Sequence, residues 1–299
     1  MTTEELRSLH DELTPAFVIT RPAIQTAPVV FCSPHSGSVY PACLLTRSRL
    51  DARTLRKSED CYVDELFGAA AHHGAPLIAA RFPRAYLDVN REPYELDPEL
   101  IAGPLPSFAN TRSTRVAGGL GTIARIVADG EEIYRERVAV ADVIARIDHL
   151  YKPFHAALAD LVEATRATFG YAVLVDCHSM PSTSTNQSGS HRPDFVIGDR
   201  FGASCDARVS QCLRDALVGL GFRVQLNRPY AGGFITEHYG RPHQRVHAVQ
   251  IEMNRGLYLD EANLAKLAVF DAVTDVMARL IARLTRDLPD VLEKRSAAE

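Results

Sequence analysis

Residues 172–181 read AVLVDCHSMP: an apolar run, then Asp176, Cys177 and His178 without a spacer, then a turn-forming proline. A short apolar run bounded this way reads as a buried strand, Ala172–Asp176, with polar groups at its carboxyl end. PVVFCSPHSG at 28–37 has the same form, giving a strand Pro28–Ser33 followed by His35. Further strands are predicted on either side, at Pro76–Ala80, Ala85–Val89, Asp194–Ile197, Arg223–Leu226 and His247–Met253. Helices alternate with them. Leu66–His73 reads as helical. Val143, Ile147, Leu150, Tyr151, Phe154, Leu158, Leu161 and Val162 recur at helical spacing over about 140–165, with Pro153 placed to kink that element. Apolar stripes at Val209–Leu220 and Leu264–Leu284 read as two more core-facing helices. Strands alternating with helices imply a mixed or mostly parallel sheet covered on both faces, a three-layer α/β/α sandwich.

The chain has 299 residues, 46% hydrophobic and 23% charged, with 33 basic and 37 acidic residues and a net charge of -4. That is a globular composition, read as one domain, with no excess of positive charge to suggest a nucleic-acid partner. MTTEELRSLHDELTP lacks the basic start and apolar stretch of a secretory signal, and no run approaches the roughly 18–20 apolar residues that span a bilayer. A cytoplasmic protein without a membrane partner is expected. Cysteines 32, 43, 61, 177, 205 and 212 are too dispersed for a disulfide scaffold or a zinc ribbon and read as reduced, packed residues. Ala102–Gly121 and Pro181–Pro193 (PSTSTNQSGSHRP) read as loops, the second either closing over a ligand or simply connecting elements. The tail EKRSAAE is expected to fray.

His35 and His178 each come directly after a predicted strand. In open α/β sheets the carboxyl ends of strands border the ligand crevice, so two imidazoles there can converge on one ion. Either alone reads more often as a structural histidine. Asp176 is placed to orient His178; alternatively, with Ser33, Ser36 and Ser179, it ends a strand and caps the next helix. A catalytic zinc takes three protein ligands and keeps a position for water, so one ligand is missing. SEDCYVDELF (58–67) offers Glu59, Asp60, Asp64 and Glu65, with Asp60 and Asp64 on one helical face; the alternative is that these charges are solvated. RFPRAYLDVNRE (81–92) closes a predicted strand on Asp88, Asn90 and Arg91, where a guanidinium beside an amide suits a carboxylate, a surface salt bridge being the alternative. Glu252 stands inside the apolar run VHAVQIEMN (246–254). Burial raises a carboxyl pKa, and a nearby activated water gives it a proton to accept, the attributes of a general base; an ion pair with Arg255 or Arg241 is the structural reading.

The motifs SPHSG, SEDCYVDELF, YLDVNR, DCHSMP, PDFVIGD, GGFITEHYGRP and VHAVQIEMNR stand in this order, and the pattern over about residues 28–262 resembles the N-formylglutamate amidohydrolases. The resemblance implies a fold related to the zinc carboxypeptidases and to the aspartoacylase and succinylglutamate desuccinylase enzymes. It also implies one zinc per chain and hydrolysis of N-formyl-L-glutamate to formate and L-glutamate, a step of histidine degradation. Those relatives carry a His-x-x-Glu ligand pair, whereas Ser38 stands three residues after His35, so the carboxylate ligand comes from elsewhere. The resemblance points to Asp60, giving His35, Asp60 and His178 as ligands, Glu252 as base, and Asn90 with Arg91 as holders of the substrate carboxylate. Arg84 or a group near Gly232 and Gly233 would assist the oxyanion, and Arg192, His238, Tyr239 and Arg241 are further candidates for contact with a small acidic N-acyl amino acid. Another acyl group, a carboxypeptidase activity, or a silent metal-binding protein of the same fold remain alternatives. Two other chemistries are disfavoured: Cys177 and His178, adjacent on a strand, point to opposite faces, and GLGTIA (119–124) has no strand before it to make a dinucleotide fingerprint.

Overall fold

The computed structural model describes residues 1–127, 130–184 and 192–293. The candidate lid within 181–193 therefore lies largely outside the described residues, as does the tail from 294. The chain divides into two compact units, one of Met1–Val18, Pro34–Cys61 and Ala79–Ala157, the other of Ile19–Ser33, Tyr62–Ile78 and Leu158–Glu299.

The seven-stranded sheet contains β1 (Phe17–Thr20), β2 (Val29–Ser33), β3 (Leu77–Ala80), β4 (Ala172–Met180), β5 (Phe195–Gly198), β6 (Val224–Leu226) and β7 (Val246–Asn254), in the order β1-β3-β2-β4-β7-β5-β6. β4 pairs in parallel with β2 and β7, and β5 with β6, while β5 and β7 are antiparallel, so the sheet is mixed. Every residue of β2, β4, β5 and β7 is buried. Such strands read as continuous apolar runs because both faces are covered. On one face of β7 the backbone N–H of Asp206, which caps α2 (Ala207–Val218), donates to His247. On the other, Gly233, which precedes α3 (Phe234–Tyr239), donates to Gln250. Helical elements thus lie on both faces of the second unit's sheet, the layering expected from the sequence.

Four readings are revised. Ala85–Val89 forms no strand: Tyr86 and Leu87 donate to the carbonyl of Pro83 in a turn, and the run is apolar because Ala85, Tyr86, Leu87 and Val89 are all buried around it. The last helix spans Phe270–Glu293 rather than starting near Leu264, whose φ of 54° belongs to a turn braced by Asp260. Leu66–His73 is a short α-helix at Val63–Leu66 followed by a 3-10 helix at Gly68–His73. The edge strand β1, FVIT, is half-exposed along its length, and its short apolar run lies outside the strands expected from the sequence. The long element near 140–165 is helical from Val140 to Phe169, with a wide π turn at Ile147–Tyr151 just before Pro153, which has no N–H to continue the ladder. Among the described residues no helix is long and apolar enough to cross a membrane.

The first unit is organised around Arg146, which is fully buried. Its guanidinium donates to both oxygens of the equally buried Glu5, to the hydroxyl of Tyr134 at 2.8 Å and to the carbonyl of Tyr86 at 3.2 Å. Burial works against the charge on Glu5, but Arg146 overcomes it and holds that carboxyl below its ordinary range. The network anchors the N-terminal helix Thr3–Arg7 and grips the loop that continues to Asp88. Arg146→Met would strand a buried carboxylate and should lower the unfolding free energy by about 3–5 kcal/mol, read from denaturant melts. Adding Glu5→Leu should recover most of that loss. A single variant as stable as the parent would refute the network's role.

Candidate active site

His35 stands two residues beyond the end of β2. Its carbonyl accepts the N–H of Asp60 at 3.0 Å, which ties the SEDC segment to SPHSG and sets His35 Nδ1 3.5 Å from Asp60 Oδ2. Gly37 lets this loop pass against the main chain: a Cβ there would meet the Phe82 carbonyl oxygen at 2.1 Å. The other ring nitrogen, Nε2, lies 2.7 Å from Asp88 Oδ1. Asp88 also accepts the N–H of Asn90 and an Arg84 N–H, each at 2.8 Å, with Arg91 at 3.6 Å. Burial would raise the Asp88 pKa, but Arg91, Arg84 and His35 together hold it well below the usual carboxylate range. Asp88 is therefore a fixed negative charge behind the imidazole.

In the second unit, β4 extends through Met180, so His178 is a strand residue rather than the first after it. Asp176 and His178 share a face, and Asp176 Oδ1 lies 2.9 Å from His178 Nε2. In the parallel register with β7, Asp176 is opposite Gln250 and His178 opposite Glu252. Glu252 is buried and accepts the Gln250 side-chain N–H at 2.8 Å, while Gln250 accepts the Gly233 N–H at 2.9 Å. Gly233 thus acts through Gln250 to position Glu252. Gly232, at φ 118°, leaves no room for a Cβ, which would meet Thr236 Oγ1 at 2.5 Å.

His35, Asp60 and His178, all buried, offer one ligand atom each within 4.8 Å of one another. His35 faces Asp88 with Nε2 and Asp60 with Nδ1, and His178 faces Asp176 with Nε2. Two imidazoles backed by carboxylates and one further carboxylate form a donor set suited to a divalent metal, since such backing fixes ring orientation and raises ligand basicity.

The remaining candidates are placed more variously. Arg84 is half-buried on Asp88. Arg91 donates to the carbonyls of Leu120 and Asn90, each at 2.8 Å, and Asn90 is buried beside it. Arg192 is exposed at the edge of the described residues. Arg241 is not brought near Glu252: its main chain bridges Val246, the first residue of β7, about 20 Å back along the strand from Glu252 at roughly 3.3 Å per residue. With His238 and Tyr239 it lines a separate cavity of about 540 Å³. Reading the sequence did not single out Asp88 as the partner of His35, nor Gln250. A signal for Gln250 existed, since Gln250 and Glu252 alternate with apolar residues on a strand and so mark a polar stripe.

A mixed-sheet α/β protein with a buried His–Asp–His group at the ends of its strands is the class that fold and site define. The profile of the N-formylglutamate amidohydrolase family matches residues 27–259. An N-formylglutamate deformylase of Pseudomonas aeruginosa is 31% identical over 237 residues, covering 78% of this chain and 83% of that protein. The corresponding protein of Pseudomonas putida is 30% identical over 237 residues, with 78% and 82% covered. The crystal structure of N-formylglutamate amidohydrolase from Ralstonia eutropha JMP134 aligns with a TM-score of 0.86 at 32% identity, covering 94% of this chain and 99% of that one. The chain belongs to the N-formylglutamate amidohydrolase family.

Replacing Asp88 or Asp176 by Ala removes the support of a ring without removing a donor of the trio, and each should weaken metal retention by about 10–100-fold in chelator competition. Asp60→Ala, which removes a donor itself, should weaken it further. Unchanged retention in all three variants would show that these residues do not hold a metal.

Proposed function

We propose that this chain is a zinc-dependent deformylase that splits N-formyl-L-glutamate into formate and L-glutamate. The observation that carries the reading is a buried His35–Asp60–His178 group together with a buried carboxylate, Glu252, in register with His178. The relatives named N-formylglutamate deformylase support the choice of substrate.

His35, Asp60 and His178 would hold one ion per chain. When bound, zinc supplies Lewis acidity, lowering the pKa of water at its open position and polarising a carbonyl. The chain's own groups do the rest. Glu252 accepts a proton from the attacking water as its oxygen bonds to the formyl carbon, then returns the proton to the nitrogen as the C–N bond breaks. Gln250 holds one oxygen of Glu252 and so sets the direction of its carboxyl group. Asp88 and Asp176 would orient the two imidazoles. Arg84, held in place by Asp88, is the group this reading assigns to the oxyanion. Arg91, its plane set by two main-chain carbonyls, would read the substrate carboxylate with Asn90, which selects acidic N-acyl amino acids.

The test is a panel of N-formyl, N-acetyl and N-succinyl amino acids assayed with metal-replete protein. The highest kcat/KM is expected for N-formylglutamate, and preference for another acyl group would overturn the substrate assignment. Glu252→Gln keeps shape and loses basicity, so turnover should fall by about a hundredfold or more with metal content unchanged. Near-parental turnover would remove Glu252 as base.

A further inference from the structure

We propose that the second unit carries another binding site, at the amino ends of β4 and β7, for a small ligand bearing a carboxylate or phosphate group. A cavity of about 840 Å³ there is lined by Tyr171, Asp206, Arg208, His243, Arg245 and His247, among others. That volume suits a small organic molecule.

His247 carries the argument. It is 7% exposed, and its Nδ1 accepts the N–H of Asp206 at 3.1 Å. Accepting on Nδ1 puts the ring proton of the neutral imidazole on Nε2. Among the described residues that Nε2 has no hydrogen-bond partner, so a donor held in one direction lines the cavity and faces its solvent.

The charges around it favour an anion. Asp206 is the one acidic residue of the lining, and it is already bound by Arg208 through contacts of 3.0 and 2.9 Å that hold its pKa down to about 2. Arg208 gives a third N–H to the Val291 carbonyl at 2.8 Å. Arg245 has no such commitment: its guanidinium lies 5.7 Å from the centroid of the Tyr171 ring and makes no ion pair among the described residues. The first turn of α2 also borders the cavity, with its Arg208 main-chain N–H already capped by Asp206 Oδ1 at 2.9 Å. The uncommitted Arg245 guanidinium and the fixed imidazole N–H together match oxyanion chemistry.

The site is separate from the one that holds Glu252. His247 and Glu252 lie five positions apart on β7, about 16 Å at roughly 3.3 Å per residue, and on opposite faces.

Inorganic phosphate and succinate, titrated separately into metal-replete protein, distinguish the two sources of the oxyanion. Binding would be followed on the His247 ring resonance, identified by its loss in His247→Asn, whose amide can still accept from Asp206. At least one probe should shift that resonance saturably with Kd near or below about 1 mM. Arg245→Asn suits the left-handed backbone at this position (φ 61°) and removes the charge, so affinity should fall about tenfold or more while turnover stays at the parental level. A response to phosphate alone would assign a phosphate ligand, and a response to succinate alone a carboxylate. No saturable shift with either probe, or undiminished affinity in Arg245→Asn, would overturn the proposal.

Discussion

Each histidine of the His–Asp–His group has its Nε2 close to a buried carboxylate, Asp88 at 2.7 Å and Asp176 at 2.9 Å, and the rest of the site is arranged around that constraint. Asp60 and Glu252 are buried as well, while Arg84 and Arg91 lie on Asp88. Buried acids gathered in this way are held more readily with a cation beside them, and the proposed metal on His35, Asp60 and His178 would be one.

The two supporting carboxylates are held by different means. Asp176 belongs to a central strand, and the ladders on either side of β4 fix its direction. Asp88 sits in irregular chain, where a side chain would wander unless something else fixed it. Its two arginines and the N–H of Asn90 do so from the side chain outward, and the Arg146 contact to the Tyr86 carbonyl does so through the main chain. The buried Glu5–Arg146 pair thus braces the main chain that leads to Asp88, the residue beside His35.

The sheet was legible in the sequence wherever strands are buried on both faces, because β2, β4, β5 and β7 then appear as largely apolar runs, interrupted in β4 and β7 by the polar residues of the site. The same rule misread Ala85–Val89, since burial inside a loop produces the same pattern as burial inside a strand. Of the His–Asp–His group, the histidines stood out by position at strand ends. Asp60 needed the family resemblance, because its approach depends on a main-chain hydrogen bond between segments 25 residues apart. Asp88 as the partner of His35 is a contact across 53 positions, with no local periodicity to reveal it. Arg241 has its main chain bridged to Val246, at the end of β7 away from Glu252.

The strand geometry also decides between kinds of hydrolysis. Cys177 lies next to His178 in sequence, but alternation turns it to the other face of β4, away from the imidazole that would have to activate it. Burial, reinforced by the Asp176 carboxylate, pushes its thiol well above the ordinary value. A thiol so buried and so weakly acidic does not form the thiolate that attacks a carbonyl. On the face that carries His178, the side chain in register with it is Glu252, a carboxylate rather than a thiol. That is the arrangement the proposed reaction with water would use.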